Sequence, residues 1–146
     1  MSAFELDYEA IEKLEEKMRL LPNKMEPTIN TILHTDGIRI AIEEITKLIP
    51  VSRSKWSVRN KTHAKDSNWS KSEKMNLGFR ILARGGAANK KGSFGYLVFP
   101  NEGRGSHNPL EQRFAERGIV NARPRILGEL HKGVDKVLRR NFKWLK

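Results

Sequence analysis

Apolar residues near the N-terminus recur at the spacing of one helix face. Within residues 5–21 these positions are Leu6, Ile11, Leu14, Met18 and Leu21. Acidic residues crowd the first turns, as the positive end of a helix dipole favours. Pro22 predicts a break, and a second apolar stripe runs from about residue 26 to residue 49. Pro50 ends it, because the residue before a proline resists the α conformation. The pattern predicts two N-terminal helices.

Two later segments have the composition of strands. Residues 77–84 and 94–99 combine aromatic and branched side chains with flanking glycines, which favours a small antiparallel sheet. We expect Phe79, Tyr96 and Phe99 to be buried there. A last apolar stripe predicts a helix over about residues 124–142. The order predicts an α+β fold, with N-terminal helices, a small antiparallel sheet with a long basic loop, and a C-terminal helix. Residues 1–146 fit one domain.

Residues 52–74 differ from the segments on either side. Serine, lysine, arginine and asparagine dominate, and few large apolar groups are present. Such a segment has little to bury, so we expect a long mobile loop or a hairpin, and favour the mobile loop. Trp56 and Trp69 are candidate interface anchors, because a tryptophan buried between subunits contributes much of the binding energy. Alternatively, the two tryptophans cap the core of their own chain.

Charge is distributed unevenly along the chain. Residues 1–50 hold 6 basic and 10 acidic residues, a net of −4, whereas the whole chain carries +11. The excess of positive charge therefore lies after residue 50, where it predicts a face that meets phosphate or an acidic protein. A basic but merely soluble surface is the alternative. The candidate assembly residues on the predicted loops are Lys55, Trp56, Arg59, Lys61, Trp69, Lys90, Lys91 and Arg104.

The chain lacks the residue patterns of the common catalytic and metal sites. It has no cysteine, which excludes disulfides, thiolate zinc sites and cysteine nucleophiles. The four histidines lie far apart, and no phosphate-binding loop or serine nucleophile elbow is present. We therefore predict no enzyme, no metal and no cofactor. The acidic N-terminus does not resemble a signal peptide, and no segment has the ~20 apolar residues that span a bilayer. These features predict a product of the cytoplasm without a membrane partner.

One segment resembles an RNA-binding strand. Residues 91–99 read Lys-Gly-Ser-Phe-Gly-Tyr-Leu-Val-Phe, close to the aromatic strand on which RNA-recognition domains stack bases. The segment has one residue too many, which would turn the later side chains to the opposite face. The predicted element order also differs from that fold. The aromatic residues are better interpreted as core, and a small RNA- or DNA-binding protein stays the alternative function.

Four segments in order carry a resemblance to a known family. They are Leu48-Ile49-Pro50-Val51-Ser52-Arg53-Ser54, Asn76-Leu77-Gly78-Phe79, Tyr96-Leu97-Val98-Phe99-Pro100-Asn101-Glu102-Gly103 and Ala122-Arg123-Pro124-Arg125-Ile126-Leu127. Their sequence and spacing over about residues 4–140 resemble the tail-component family, the minor tail-completion proteins of lambdoid phages.

The resemblance implies a structural virion protein without a cofactor. Such a protein would form a homo-oligomeric ring, for example a hexamer, between the head connector and the tail of a long-tailed bacteriophage. Its partners would be further copies of itself and the neighbouring connector and tail proteins, with nonspecific contact to packaged DNA. We would expect it in the virion, at the tail or neck, after assembly in the host cytoplasm.

Overall fold

Helices and one small sheet form the described part of the chain. The computed structural model describes residues 8–50, 64–86, 93–103 and 111–142. Its helices are α1 (Tyr8–Ile32), α2 (Ile38–Leu48), α3 (Val98–Glu102) and α4 (Phe114–Asn141). Strands β1 (Ser70–Met75) and β2 (Gly78–Ala83) pair antiparallel. The predicted α+β class, with N-terminal helices, a small antiparallel sheet and a C-terminal helix, is confirmed.

Helix α1 runs through Pro22, so the predicted break there is wrong. A proline inside a helix removes one backbone hydrogen bond. Contacts with α4 lie on both sides of Pro22: Lys17 Nζ donates to the Asn141 carbonyl at 3.1 Å, and Ile32 packs against Gly133. The same partner helix therefore holds both halves of α1, and the helix continues through the proline.

A π-helical turn over Leu33–Gly37 joins α1 to α2. Gly37 is buried there, and a Cβ added to it would lie 3.0 Å from Phe79 Cε1. The absence of a side chain at Gly37 thus lets the sheet approach the helices closely. Helix α2 ends at Leu48, and Ile49 is extended, as predicted from Pro50.

Helix α4 begins ten residues before the predicted start and contains Pro124. The turns before this proline bury Phe114, Gly118 and Ala122. Gly118 marks the closest approach of α4 to α2, because a Cβ there would lie 2.6 Å from Ile45 Cα. The contacts on α2 hold this helical segment in place ahead of Pro124.

The sheet partner of β2 is β1, and not residues 94–99 as predicted. A two-residue turn at Asn76 and Leu77 connects the strands, and Leu77 adopts a left-handed backbone (φ 56°). The Leu77 amide donates to Asn30 Oδ1 at 2.6 Å. His34 Nε2 donates to the carbonyls of Met75 and Gly78 at 2.8 and 2.9 Å. Side chains of α1 and the π-helical turn therefore fix the tip of the hairpin.

Residues 94–99 lie in helical turns, so the strand prediction there is wrong. Gly95–Leu97 forms a 3-10 turn and continues into α3. Asn101 of α3 accepts the Ala115 amide on its Oδ1 and the Arg113 amide on its backbone carbonyl. These bonds join α3 to the start of α4, which outweighs the strand propensity of the aromatic residues.

The burial expected for the strand aromatics holds only in part. Phe79 is half-buried, whereas Tyr96 is exposed (40%), contrary to our prediction. The side chain of Phe99 is not among those that the structure describes. The same turns also remove the aromatic strand on which the resemblance to an RNA-recognition domain rested.

The mobile loop predicted over residues 52–74 is wrong in its second half, where the alternative of a hairpin is correct. Ala64–Asp66 forms a 3-10 turn, Trp69 is buried and β1 starts at Ser70. The first half of the loop, up to residue 63, lies outside the described residues. Apart from Ser70, β1 is exposed, and all its residues except Met75 are polar. Its pairing with β2, and not apolar burial, makes it a strand.

Candidate functional site

Of the eight candidate assembly residues, the described ranges contain Trp69 alone. Lys55, Trp56, Arg59, Lys61, Lys90, Lys91 and Arg104 lie outside them. Trp69 is 5% exposed and belongs to the core cluster with Ile45, Ile49 and Phe114. Its Nε1 donates to Thr46 Oγ1 at 2.9 Å. Trp69 thus packs in the core of its own chain, so the alternative interpretation holds and its assignment as an interface anchor is corrected.

An apolar groove lies between the sheet and the first turns of α4. Its volume is about 490 Å³, within the range of roughly 300–1,000 Å³ common for binding pockets. One wall is the inner face of β2, and residues of α2, α3 and α4 supply the others. Its main apolar residues are Phe79, Ile81, Leu97, Val98, Phe114 and Ile119. Both β2 and α4 contact α2, which thus positions the two sides of the groove.

The polar groups of the groove do not converge on one point suited to chemistry. Asn101 Nδ2 donates to Glu116 Oε1 at 3.2 Å, and Arg80 contacts Glu73 at 3.5 Å. Over the described ranges, no three histidine or carboxylate side chains come together as a metal site. The groove is therefore suited to hold apolar side chains.

One arginine lines this groove, and two others directly follow residues that line it. Arg80 lines it, Arg84 follows the last residue of β2, and Arg117 lies one residue beyond Glu116 on α4. All three are exposed. Arg84 Nε donates to the Ser70 carbonyl and Arg117 Nη1 to the Gln112 carbonyl. Within the described structure, neither forms an ion pair with a carboxylate, whereas Arg80 pairs with Glu73 and Glu116 lines the groove. Charges of both signs therefore lie at the groove.

The N-terminal half of α1 presents a second apolar surface. Ile11, Leu14, Met18 and Leu21 follow one another at spacings of three and four residues, which places them on one helix face. Ile11 and Met18 are 39% and 58% exposed. Because α1 runs antiparallel to α4 and Lys17 already reaches Asn141, the last residue of α4, residues 8–16 extend past that end of α4. We call this surface the α1 stripe.

Acidic residues accompany the α1 stripe. Glu12, Glu15 and Glu16 are exposed and form no ion pair with another residue in the described ranges. Glu9 pairs with Lys13 at 2.8 Å. Lys17 and Arg19 are exposed on the same turns, so charges of both signs accompany the α1 stripe.

An ion cluster fastens α2 to α4 away from the groove. Arg125 donates to Glu44 Oε1 at 2.8 Å and to Glu43 Oε2 at 3.0 Å. Arg39 also binds Glu43, and Lys47 binds Glu44. Hydrogen bonds from Arg125 and Arg39 lower the pKa of Glu43, and those from Lys47 and Arg125 lower the pKa of Glu44.

This cluster predicts how stability depends on pH. A carboxyl whose pKa is lowered by folding stabilises the fold above its unfolded pKa, near 4.5 for glutamate, and that contribution is lost as pH falls through the folded pKa. We expect Arg125→Met to lower the unfolding temperature at neutral pH, and the difference from the native chain to shrink below about pH 4.5. Thermal unfolding followed by circular dichroism over this range checks it.

Arg123→Met is the matched control, because Arg123 is exposed on the same helix and has no ion pair among the described residues. It should change the unfolding temperature little at any pH. If the difference caused by Arg125→Met were constant down to acid pH, the loss would come from packing of the arginine stem and not from the cluster.

Comparison with models of known protein families, with curated proteins and with solved structures found no match. None of the helices in the described ranges combines the length and the apolar character needed to cross a membrane.

Proposed function

We propose that the chain is a structural subunit that works by protein–protein assembly, as a ring-forming tail-completion or head–tail joining protein of a long-tailed bacteriophage. The α1 stripe is the observation that carries the assembly role. Ile11 and Met18 leave exposed apolar surface on one face of α1, and contiguous exposed apolar patches mark sites that bind other proteins. Apolar surfaces of this kind are what subunits bury when they associate.

The positions of the family-like segments support the proposal. Residues 48–50 end α2, and Asn76 and Leu77 form the hairpin turn that Asn30 and His34 fix. Asn101 joins α3 to α4. Three of the four segments thus lie at junctions of the fold, where a shared sequence would preserve a shared arrangement of elements. The fourth, residues 122–127, lies inside α4 and not at its start.

The site chemistry agrees with an assembly role. The groove has apolar walls, and its polar residues bond to neighbours within the chain. Nothing in it resembles a nucleophile with a general base, which is the arrangement that covalent catalysis needs. The chain therefore has a surface suited to binding a protein, and we propose no enzymatic activity for it.

Nucleic-acid binding is the second candidate, favoured by the exposed face of α4. Arg123, Lys136 and Arg140 are exposed on that helix and form no ion pair with another described residue. Phosphate binding through such residues weakens steeply with rising salt, whereas a protein assembly with a large apolar contact does not. A duplex-binding titration over a range of salt therefore separates the two functions.

The proposal is tested by particle assembly. A phage that lacks this chain and makes every other virion protein should fail at the step that joins filled heads to tails.

A further inference from the structure

The outer edge of β1 has no strand beside it in the described ranges, where β1 and β2 form a sheet of two strands. Strand β2 contacts α2 and the π-helical turn, whereas β1 mainly contacts β2. Every residue of β1 after Ser70 is exposed. Two-stranded hairpins are marginally stable by themselves, and further strands stabilise a sheet. A third strand can therefore pair with the outer edge of β1.

The register decides which backbone groups point out of the sheet. Met75 pairs with Gly78 across a two-residue turn, and a turn of this length closes with a hydrogen bond between the residues beside it. Hydrogen-bonded pairs then recur at every second residue of an antiparallel ladder. The Arg84 amide, which donates to the Trp69 carbonyl at 2.7 Å, continues the same alternation at the other end of the sheet.

The backbone N–H and C=O groups that point away from β2 therefore belong to Ser70, Ser72 and Lys74, and we call this row of groups the β1 edge. The Ser70 carbonyl accepts a hydrogen bond from Arg84 Nε at 2.7 Å. Within the described ranges, no other element bonds to the backbone of Ser72 or Lys74. The middle of the β1 edge is thus open to a second strand.

Two opposite charges flank Ser72 on one face of β1. Lys71 and Glu73 share this face, because side chains two residues apart on a strand point the same way. Both are exposed. Glu73 contacts Arg80 of its own sheet at 3.5 Å, and Lys71 forms no ion pair with a described residue.

We infer that the β1 edges of two copies of this chain pair antiparallel about Ser72, which joins their two hairpins into one sheet. Ser72 then lies opposite Ser72 of the second copy, and Lys71 lies opposite Glu73 of the second copy on each side of the twofold axis. Lys71 and Glu73 form non-hydrogen-bonded pairs in this register, and the side chains of such pairs are closest. Each Glu73 lies between its own Arg80 and the Lys71 of the other copy.

Charge selects both this register and this occupant. Only shifts by an even number of residues keep the outward backbone groups of the two strands facing each other. A shift by two residues places Lys71 opposite Lys71 of the second copy in one direction, and Glu73 opposite Glu73 in the other. Like charges directly opposite each other destabilise a strand pair. A second copy supplies both matching charges by symmetry.

The inferred contact is separate from the one that the proposed ring needs. It uses the same surface on both copies, so it is isologous and closes at two copies. A ring is built from a contact between unlike surfaces. Failure of the β1 pairing would therefore leave the proposed function standing, and the reverse also holds.

Cysteine scanning along β1 tests the register, because the native chain contains no cysteine. Ser72→Cys places two thiols opposite each other at the twofold axis. The Cα atoms of a hydrogen-bonded pair lie about 5.5 Å apart, which is within the range for a disulfide. We expect the oxidised variant to run as a covalent dimer on a non-reducing gel.

Lys74→Cys is the matched control, because Lys74 is exposed on the same face of β1 as Ser72. In the inferred register the two copies of Lys74 lie about 13 Å apart, at about 3.3 Å per residue, which is too far for a disulfide. Its dimer yield should be several-fold lower. Equal yields at positions 72 and 74 would overturn the register. A Ser72→Cys chain that stays monomeric after oxidation would overturn the pairing itself.

A mixing experiment tests the charges. Lys71→Glu and Glu73→Lys are introduced separately into the Ser72→Cys chain, and a tag on one variant distinguishes the products by size. Alone, each variant brings like charges together, so its dimer yield should fall several-fold. Mixed, each variant supplies the charge that the other lacks, so the heterodimer should exceed its random proportion several-fold. A heterodimer in the random proportion, with both variants folded by circular dichroism, would contradict the inferred pairing of Lys71 with Glu73.

Discussion

Replacing Trp69 by alanine is expected to lower the free energy of unfolding by about 3–5 kcal/mol, as other losses of a large buried side chain do. The indole is 5% exposed and packs with Ile45, Ile49 and Phe114. Its Nε1 also donates to Thr46 Oγ1, which itself donates to the Ile42 carbonyl. Urea unfolding of the purified native chain and variant measures this change in the free energy of unfolding. Both curves are analysed with the same dependence of free energy on urea concentration.

Two further variants identify the cause of this loss. Trp69→Phe keeps an aromatic ring but removes the bond to Thr46, so it should cost less, with the hydrogen bond accounting for roughly 1 kcal/mol. Tyr96→Ala removes an exposed aromatic ring and should change stability little. If Trp69→Ala unfolded like the native chain but associated more weakly, Trp69 would be an interface anchor after all.

Adding a side chain at Gly118 is expected to be the second large effect. The nearest atoms to an added Cβ are Ile45 Cα and Cγ1 at 2.6 Å and Ile45 N at 2.8 Å. Two of these are backbone atoms, so they cannot rotate away and α2 itself would have to move. Gly118→Ala should therefore destabilise the fold by about 1–3 kcal/mol, the usual cost of overpacking, and Gly118→Val by more.

Gly128 on the same helix is the matched control. An added Cβ there meets nothing within 4 Å, so Gly128→Ala should stabilise α4 by up to about 1 kcal/mol through helix propensity. Opposite signs for the two alanine substitutions in urea unfolding would confirm the tight crossing of α2 and α4. If both substitutions stabilised the chain equally, α2 and α4 could not approach each other closely at Gly118.

The helices could be predicted from sequence because their signal is local. Apolar residues at spacings of three and four, such as Ile11, Leu14 and Met18, identify a helix face from neighbouring positions alone. Pro22 and Pro124 were assigned to helix boundaries because a proline disfavours the helix interior. Contacts with another helix, more than a hundred residues away for Lys17 and Asn141, outweighed that local preference. The local sequence around a proline does not indicate whether a distant helix will pack on both sides of it.

The strand pairing of the sheet, in contrast to the helices, has little signal in the local sequence. Strand β1 reads Ser-Lys-Ser-Glu-Lys-Met, which has no apolar alternation, so its pairing with β2 depends on the turn. The available signal was the short Asn76–Leu77 connection before Gly78, and it is weak because Leu77 is an unusual residue for a left-handed backbone. Residues 94–99 have the composition of a strand, but they form helical turns. Leu97 in these turns packs against Phe114 at the start of α4.

The groove could not be predicted at all. Its walls come from α2, β2, α3 and α4, and its residues are ordinary apolar side chains, indistinguishable in sequence from those of the core. The sequence instead predicts assembly residues on basic loops, because charged residues can be counted directly from the composition. A signal for the α1 stripe was present in the helical spacing, but its exposure depends on where α4 ends.

Electron microscopy of lysates from a phage without this chain tests its proposed role most directly. The predicted result is filled heads and complete, separate tails in place of joined particles, with joining restored when the native chain is supplied from a second gene copy. That copy is the control for the rest of the assembly machinery. Joined, infectious particles made in the absence of the chain would contradict the proposed role.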